Sequence, residues 1–267
     1  MLPGKSVRLG CSGWSYKRWS GKFYPADAKN SDMLKMYAQT FNTVEVDSTF
    51  YGMPSRNTVE KWFESTSPDF RFCLKLDRQI THIRMLQHCE PELENFLDRV
   101  KGLKEKLGPV LIQLPPFFKY DLERLESFIE KLPGELGFVF EFREDSWFNR
   151  ETEVLLRKNH IAAAWSDSPF TEKVLWNTGN FLYLRLVGDR TIDDQSFGTV
   201  VRQKNEEIKK WGELIRDSET RTAYIFANNH YEGFSPHTAS RFAEALNLKR
   251  PMWPIGTVKG SGQRTLF

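Results

Sequence analysis

Cysteine is scarce in this sequence, with only Cys11, Cys73 and Cys89 among 267 residues, an odd number without the paired spacing of a metal cluster. A disulfide-stapled secreted fold is therefore a poor reading, and a reduced intracellular compartment a better one. Charge of one sign is also in short supply. Lys and Arg total 38 against 35 acids, a net +3, so composition by itself points to no nucleic-acid partner. No apolar run approaches the length that crosses a bilayer, and "MLPGKSVRLG" lacks the apolar centre of an export signal. The expectation is a cytoplasmic protein with no membrane partner. Fixed-period repeats, low-complexity linkers and composition breaks are missing as well. That predicts one domain over 1–267, with 248–267, where prolines and glycines cluster, as a C-terminal strap or flexible tail.

What is present is alternation. Short apolar runs follow one another at Val7–Ser12, Thr43–Asp47, Arg71–Leu76, Val110–Leu114, Phe138–Phe142, Ala162–Asp167, Phe181–Leu186 and Ala223–Asn228. Helix-patterned stretches separate them, among them "DMLKMYAQT" with Ser31 as a cap, "TVEKWFEST" opened by Asn57, "LERLESFIEKL" and "NEEIKKWGELIRD". Alternating strands and helices predict an α/β protein with a parallel sheet. Eight such units fit a single TIM-type (β/α)8 barrel. An open doubly wound sheet would call for a glycine-rich phosphate loop after the first strand, and "GCSGWSY" is not one.

Residues two apart on a strand share a face, roughly 6.6 Å apart. In "FNTVEVDSTFYGMP" this rule aims Glu45 and Asp47 the same way, away from Val44 and Val46. Every predicted strand carries a polar side chain at or near its C-terminal end: Ser12, Glu45 with Asp47, Lys75, Gln113, Glu141 with Arg143, Asp167, Arg185 and Asn228. The opposite faces are apolar, as in Val7, Leu9 and Cys11 or Phe138, Phe140 and Phe142. Barrel enzymes build their sites on this rim, and buried charge pairs seldom add stability, so a polar cup at the mouth predicts a ligand site.

The strand-end strings "GCSGWSY", "VEVDSTFYGMP", "LKLDRQITH", "IQLPP", "FEFREDSW", "YLRLVG" and "FANNHYEGFSP" resemble, in order and spacing, those of the YecE-like family, also known as domain of unknown function seventy-two. The resemblance runs over nearly the whole chain. It implies a TIM-type barrel with kinship to sugar-isomerase and endonuclease-type barrels, and it brings Trp14, His82 and Asn229 into the set of motif residues beside the rim positions. One departure stands out: Val187 occupies the place before Gly188 where many relatives carry histidine.

Lys75, Arg143 and Arg185, on three strands, suit an anionic group, arginine offering bidentate geometry to phosphate or carboxylate. Glu45, Glu141, Asp167 and His82 are then the expected catalytic acids and bases. Ser12, Trp14, Asp47, Lys75, Gln113, Arg143, Arg185, Asn228 and Asn229 are the expected substrate contacts. No cofactor is called for. A metal is not expected either, since His82, His88, His160, His230 and His237 lack ligand spacing and the nearby bases compete for the carboxylates. The sequence therefore predicts an enzyme of hydrolase or isomerase type acting on a small phosphorylated or otherwise anionic ligand at the barrel mouth. Two alternatives share its features. The loop "GWSYKRWSGKFYP" interleaves aromatic and basic residues, which suits either single-stranded nucleic acid or plain packing. An endonuclease-like phosphodiesterase is the second.

Overall fold

The computed structural model describes residues 4–253. Its eight parallel strands are β1 (Ser6–Ser12), β2 (Thr43–Val46), β3 (Arg71–Leu74), β4 (Val110–Gln113), β5 (Phe138–Glu141), β6 (Ala162–Asp167), β7 (Leu182–Leu186) and β8 (Thr222–Ala227). They lie in the order β3-β2-β1-β8-β7-β6-β5-β4. The two outer strands then meet: Leu76 N–H donates to Leu111 O and Gly108 N–H to Phe72 O, each at 2.8 Å. The sheet thus curls into a nearly closed barrel of the TIM type, as the repeated strand and helix pattern predicts.

Around it run α1 (Asn30–Tyr37), α2 (Arg56–Glu64), α3 (Glu90–Val100), α4 (Leu122–Ile129), α5 (Arg150–Lys158), α6 (Asn205–Asp217), the single turn α7 (Asn229–Glu232) and α8 (Ser235–Ala245). Two expected caps move. Ser31 lies inside α1, its hydroxyl turned to Asp32 at 3.2 Å. Asn57 lies inside α2 because Ser55, in extended backbone, accepts the Thr58 N–H at 3.1 Å. A cap must sit outside the helix with its oxygen facing an amide two or three residues on, and Ser55 meets that condition.

Strand alternation sorts the core into two layers. Leu9, Cys11, Phe138, Phe140, Phe142, Leu182, Leu184 and Leu186 pack between barrel and helices, with Val7 at the margin. Cys73, Leu111, Val139, Ala162, Tyr183 and Phe226 fill the barrel interior. All three cysteines are buried thiols. Above the interior layer the same inward faces turn polar, which places the site.

Of the expected strap, residues 248–253 are irregular chain, with Trp253 Nε1–H donating to Lys22 O at 2.9 Å. Residues 254–267 lie outside the described residues. Among the described residues no helix is long and apolar enough to cross a membrane.

Candidate functional site

The C-terminal mouth is organised around Arg185 on β7. Its guanidinium grips Glu45 of β2 through Nε and Nη2, both at 2.8 Å, and donates through Nη1 to Glu141 of β5 at 2.5 Å. Glu45 also accepts from Ser12 Oγ at 2.6 Å and Tyr183 Oη at 2.8 Å, and Glu141 from Gln113 Nε2 at 2.8 Å. Exposure is 0% for Glu45, 4% for Glu141 and 5% for Arg185, so water does not screen these contacts. Burial alone would push Glu141 up and Arg185 down. The guanidinium beside it and the Gln113 amide instead hold Glu141 below its usual range, and Glu141, Glu45 and Asp47 hold Arg185 protonated.

Asp47 begins a 3-10 turn, Asp47–Phe50, directly after β2. One third of its side chain is exposed, while Oδ1 is buried with no hydrogen-bond donor and lies 3.5 Å from Arg185 Nη2. Burial and repulsion from Glu45 raise its pKa against the opposing pull of Arg185 and Lys75. It lines an open cleft of about 240 Å³ together with Ser12, Gly13, Trp14, Ser15, Tyr16, Val46 and Ser48. Thr49 Oγ1 donates to both Val46 O at 2.9 Å and Lys75 O at 2.7 Å, which fixes this turn against the end of β3.

Lys75 and Arg143 differ from Arg185. Among the described residues neither side chain takes part in an ion pair or a hydrogen bond, and Lys75 Nζ lies 3.9 Å over the Phe50 ring. Lys75 is 7% exposed, and burial lowers its pKa although Asp47 pulls the other way. Burial lowers that of Arg143 too, against the pull of Glu141, with Arg190 and Arg185 adding repulsion. His82 reports the same field. It rides on a wide turn, Gln79–Ile83, in which Arg84 N–H reaches back five residues to Gln79 O at 2.8 Å. Such turns recur at functional sites. Burial, then Lys75, Arg143 and Arg78, bring its pKa down to about 4. At neutral pH His82 is an uncharged hydrogen-bonding group, paired through Nδ1 with Thr81 Oγ1 at 2.9 Å.

Three expected site residues are not brought into the cup. Asp167 faces the helices: Oδ2 accepts from Trp211 Nε1 at 2.8 Å and Tyr231 Oη at 2.6 Å, and Oδ1 pairs with Lys173 at 2.9 Å. On β6 the inward phase is Ala162, Ala164 and Ser166, with Ser166 Oγ 3.5 Å from Glu141. Trp165, a residue for the helix layer, carried the signal that its neighbour Ser166 points inward and Asp167 does not. Asn228 caps α7 by accepting the His230 N–H at 3.0 Å. Asn229 Oδ1 accepts from Trp19 Nε1 at 3.3 Å and from Ser235 N–H and Oγ at 3.0 Å, tying the loop after β1 to α8. In that loop Trp19, Phe23 and Tyr24 are buried against one another, so these three rings are not available to stack on bases. Trp14 and Tyr16 remain half-buried on the cleft.

Fold and site together define a (β/α)8 barrel with a charged, water-accessible C-terminal mouth. Residues 8–259 match the family described as protein of unknown function DUF72, and the chain belongs to that family. The UPF0759 protein YecE of Escherichia coli (strain K12) is 33% identical over 157 residues, 58% of this chain and 55% of that protein. The matched stretch thus spans about half the length of that relative. A DUF72 family protein from Thermotoga maritima MSB8 has a similar structure, with a TM-score of 0.79 at 29% identity over 90% of this chain and 99% of that one. Another, from Enterococcus faecalis V583, superposes with a TM-score of 0.73 at 21% identity, covering 92% and 99%, and attests the fold alone.

Proposed function

We propose that this barrel is an enzyme acting on a phosphorylated or otherwise anionic compound at its C-terminal mouth. One observation carries the reading: Lys75 and Arg143 bring two buried or half-buried positive charges to the rim, and among the described residues neither is in ion-pair contact with a carboxylate, Asp47 and Glu141 acting on them only from farther off. Burying an uncompensated charge is costly, and an incoming anion removes the cost. Arg185, with donors on two edges of its guanidinium committed to Glu45 and Glu141, serves as scaffold for the mouth rather than as ligand clamp.

The carboxylates divide in the same way. Glu45 and Glu141 are locked, and Asp47 alone of the three combines contact with the charged floor, partial exposure and a raised pKa. It is the carboxylate of the three best placed to exchange a proton with a ligand. His82, uncharged, offers a hydrogen bond beside the anion.

The test is calorimetric titration with inorganic phosphate, sulfate and a set of small phosphate esters. Binding by the native protein is expected, with Lys75→Ala and Arg143→Ala each weakening it at least about tenfold, the equivalent of about 1.4 kcal/mol. Undiminished affinity in both variants, or no anion binding at all, overturns the proposal.

A further inference from the structure

The mouth has two unlike halves that meet at Asp47. On the β3 and β5 side lie Lys75 and Arg143, neither in an ion pair among the described residues. On the β1 and β2 side lies the cleft formed by Ser12, Gly13, Trp14, Ser15, Tyr16 and Asp47, with no cation among its lining residues. From these two halves, and resting on the anion reading above, we infer that the ligand is a phosphate monoester of a small polyhydroxylated compound, its phosphate on Lys75 and Arg143 and its hydroxylated part in the Trp14–Asp47 cleft.

The chemistry of the cleft selects the second half of that ligand. At about 240 Å³ it falls below the roughly 300–1,000 Å³ of drug-sized pockets, so its guest is small. Its polar inventory is short. Asp47 Oδ1 is sealed beside Arg185, so the exposed third of the side chain leaves Oδ2, which takes no hydrogen bond among the described residues, as the acceptor for a ligand hydroxyl. Ser15 and Ser48 are exposed hydroxyls at the edge. Ser12 is already committed to Glu45, and Tyr16 Oη to Ser12 O at 2.7 Å. A cation here would suit Asp47, but Arg185 Nη2 at 3.5 Å already places positive charge beside that carboxylate. A second anion would be repelled by Asp47 and Glu45. A neutral group that donates hydrogen bonds on one side and presents C–H surface to an indole on the other meets both demands, and a polyol does so.

Position strengthens the assignment. Thr49 bonds the end of β2 to the backbone just past β3, so the turn that carries Asp47 is fixed against the residue that carries the Lys75 ammonium. A phosphate on Lys75 therefore delivers its ester carbon chain toward Asp47 without a spacer.

The experiment compares inorganic phosphate, ribose 5-phosphate, glucose 6-phosphate, glycerol 3-phosphate and unphosphorylated ribose by calorimetry, with thermal unfolding as the control for folding. At least one polyol phosphate should bind at least about tenfold more tightly than inorganic phosphate. Trp14→Ala and Asp47→Asn should each bring that ester back to the level of inorganic phosphate. Inorganic phosphate itself should bind Asp47→Asn at least as well as it binds the native protein, since a repelling carboxylate is gone. Phosphate binding that depends on Lys75 and Arg143, with no gain for any ester and no effect of the Trp14 and Asp47 variants, overturns this inference and leaves the anion reading standing. Absence of all anion binding overturns both. Ribose binding as tightly as ribose 5-phosphate overturns the two-part ligand.

Discussion

Arg185 and the pair Lys75 and Arg143 project from ends of the same barrel, yet they answer opposite problems. Arg185 meets two glutamates in charge-assisted bonds of 2.5–2.8 Å and leaves little of its charge for anything else. Lys75 lies over the Phe50 ring and Arg143 is half-buried, neither in an ion pair among the described residues, and their field is felt by His82. The lesson is that a cation at a barrel mouth is not a ligand contact by virtue of its place. What separates architecture from recognition here is whether the protein has already neutralised the charge.

Substitution should magnify that difference. Arg185→Met strands Glu45 and Glu141 in the interior, and breaking a buried pair from one side costs about 3–5 kcal/mol. Thermal unfolding should shift down by roughly 6–20 °C. The triple variant with Glu45→Gln and Glu141→Gln should recover much of the loss, because the stranded charges go with the arginine. A single variant as stable as the native protein would abolish the contrast. Asp167→Ala comes next. It leaves Trp211 Nε1–H and Tyr231 Oη–H buried without their acceptor, about 1–3 kcal/mol in denaturant unfolding. Anion affinity should not change, since Asp167 faces the helices; a folded Asp167→Ala protein that no longer binds phosphate would return Asp167 to the site. Smaller still is Lys75→Met. No partner is orphaned, so stability should stay within about 1 kcal/mol of the native value while anion binding falls.

How much of this was legible beforehand depends on the range of the forces involved. Strand positions and the inward aim of Glu45, Lys75, Gln113, Glu141 and Arg185 follow from alternation, a local property of the chain, and the barrel bears them out. The partners of those residues do not follow. Arg185 and Glu45 are 140 positions apart, and only closure of the barrel decides that a guanidinium meets two carboxylates rather than a ligand. Asp167 departs from the expected inward face on a smaller point: on β6 the large Trp165 fixes the phase, and the polar side chain following Ser166 is carried to the outside. The wide turn bearing His82 and the short helix α7 have too few residues for a periodic signal. In the loop after β1 composition was neutral between packing and binding, and burial of Trp19, Phe23 and Tyr24 gives those rings to packing.

His82 offers the finest probe of the comparison, because it senses the unneutralised charge without carrying any. Its pKa lies at about 4 when folded, whereas an unfolded histidine titrates near 6.5. Between those values the unfolded chain binds the extra proton, so the contribution of His82 to stability is whole above about pH 6.5 and is lost as pH falls through about 4. His82→Gln should remove that part of the pH dependence, seen as a smaller gap between unfolding curves at pH 7 and pH 5. The imidazole is only half-buried, so solvent screens the effect and it should be modest beside that of Arg185→Met. Bound phosphate sharpens the test. An anion on Lys75 and Arg143 cancels their repulsion of the imidazolium but not the larger effect of burial, so saturating phosphate should raise the His82 midpoint measured by nuclear magnetic resonance part of the way toward its ordinary value. A midpoint that ignores phosphate at concentrations where binding is complete would mean that the anion sits elsewhere, and that the charge on these two side chains serves something other than a ligand.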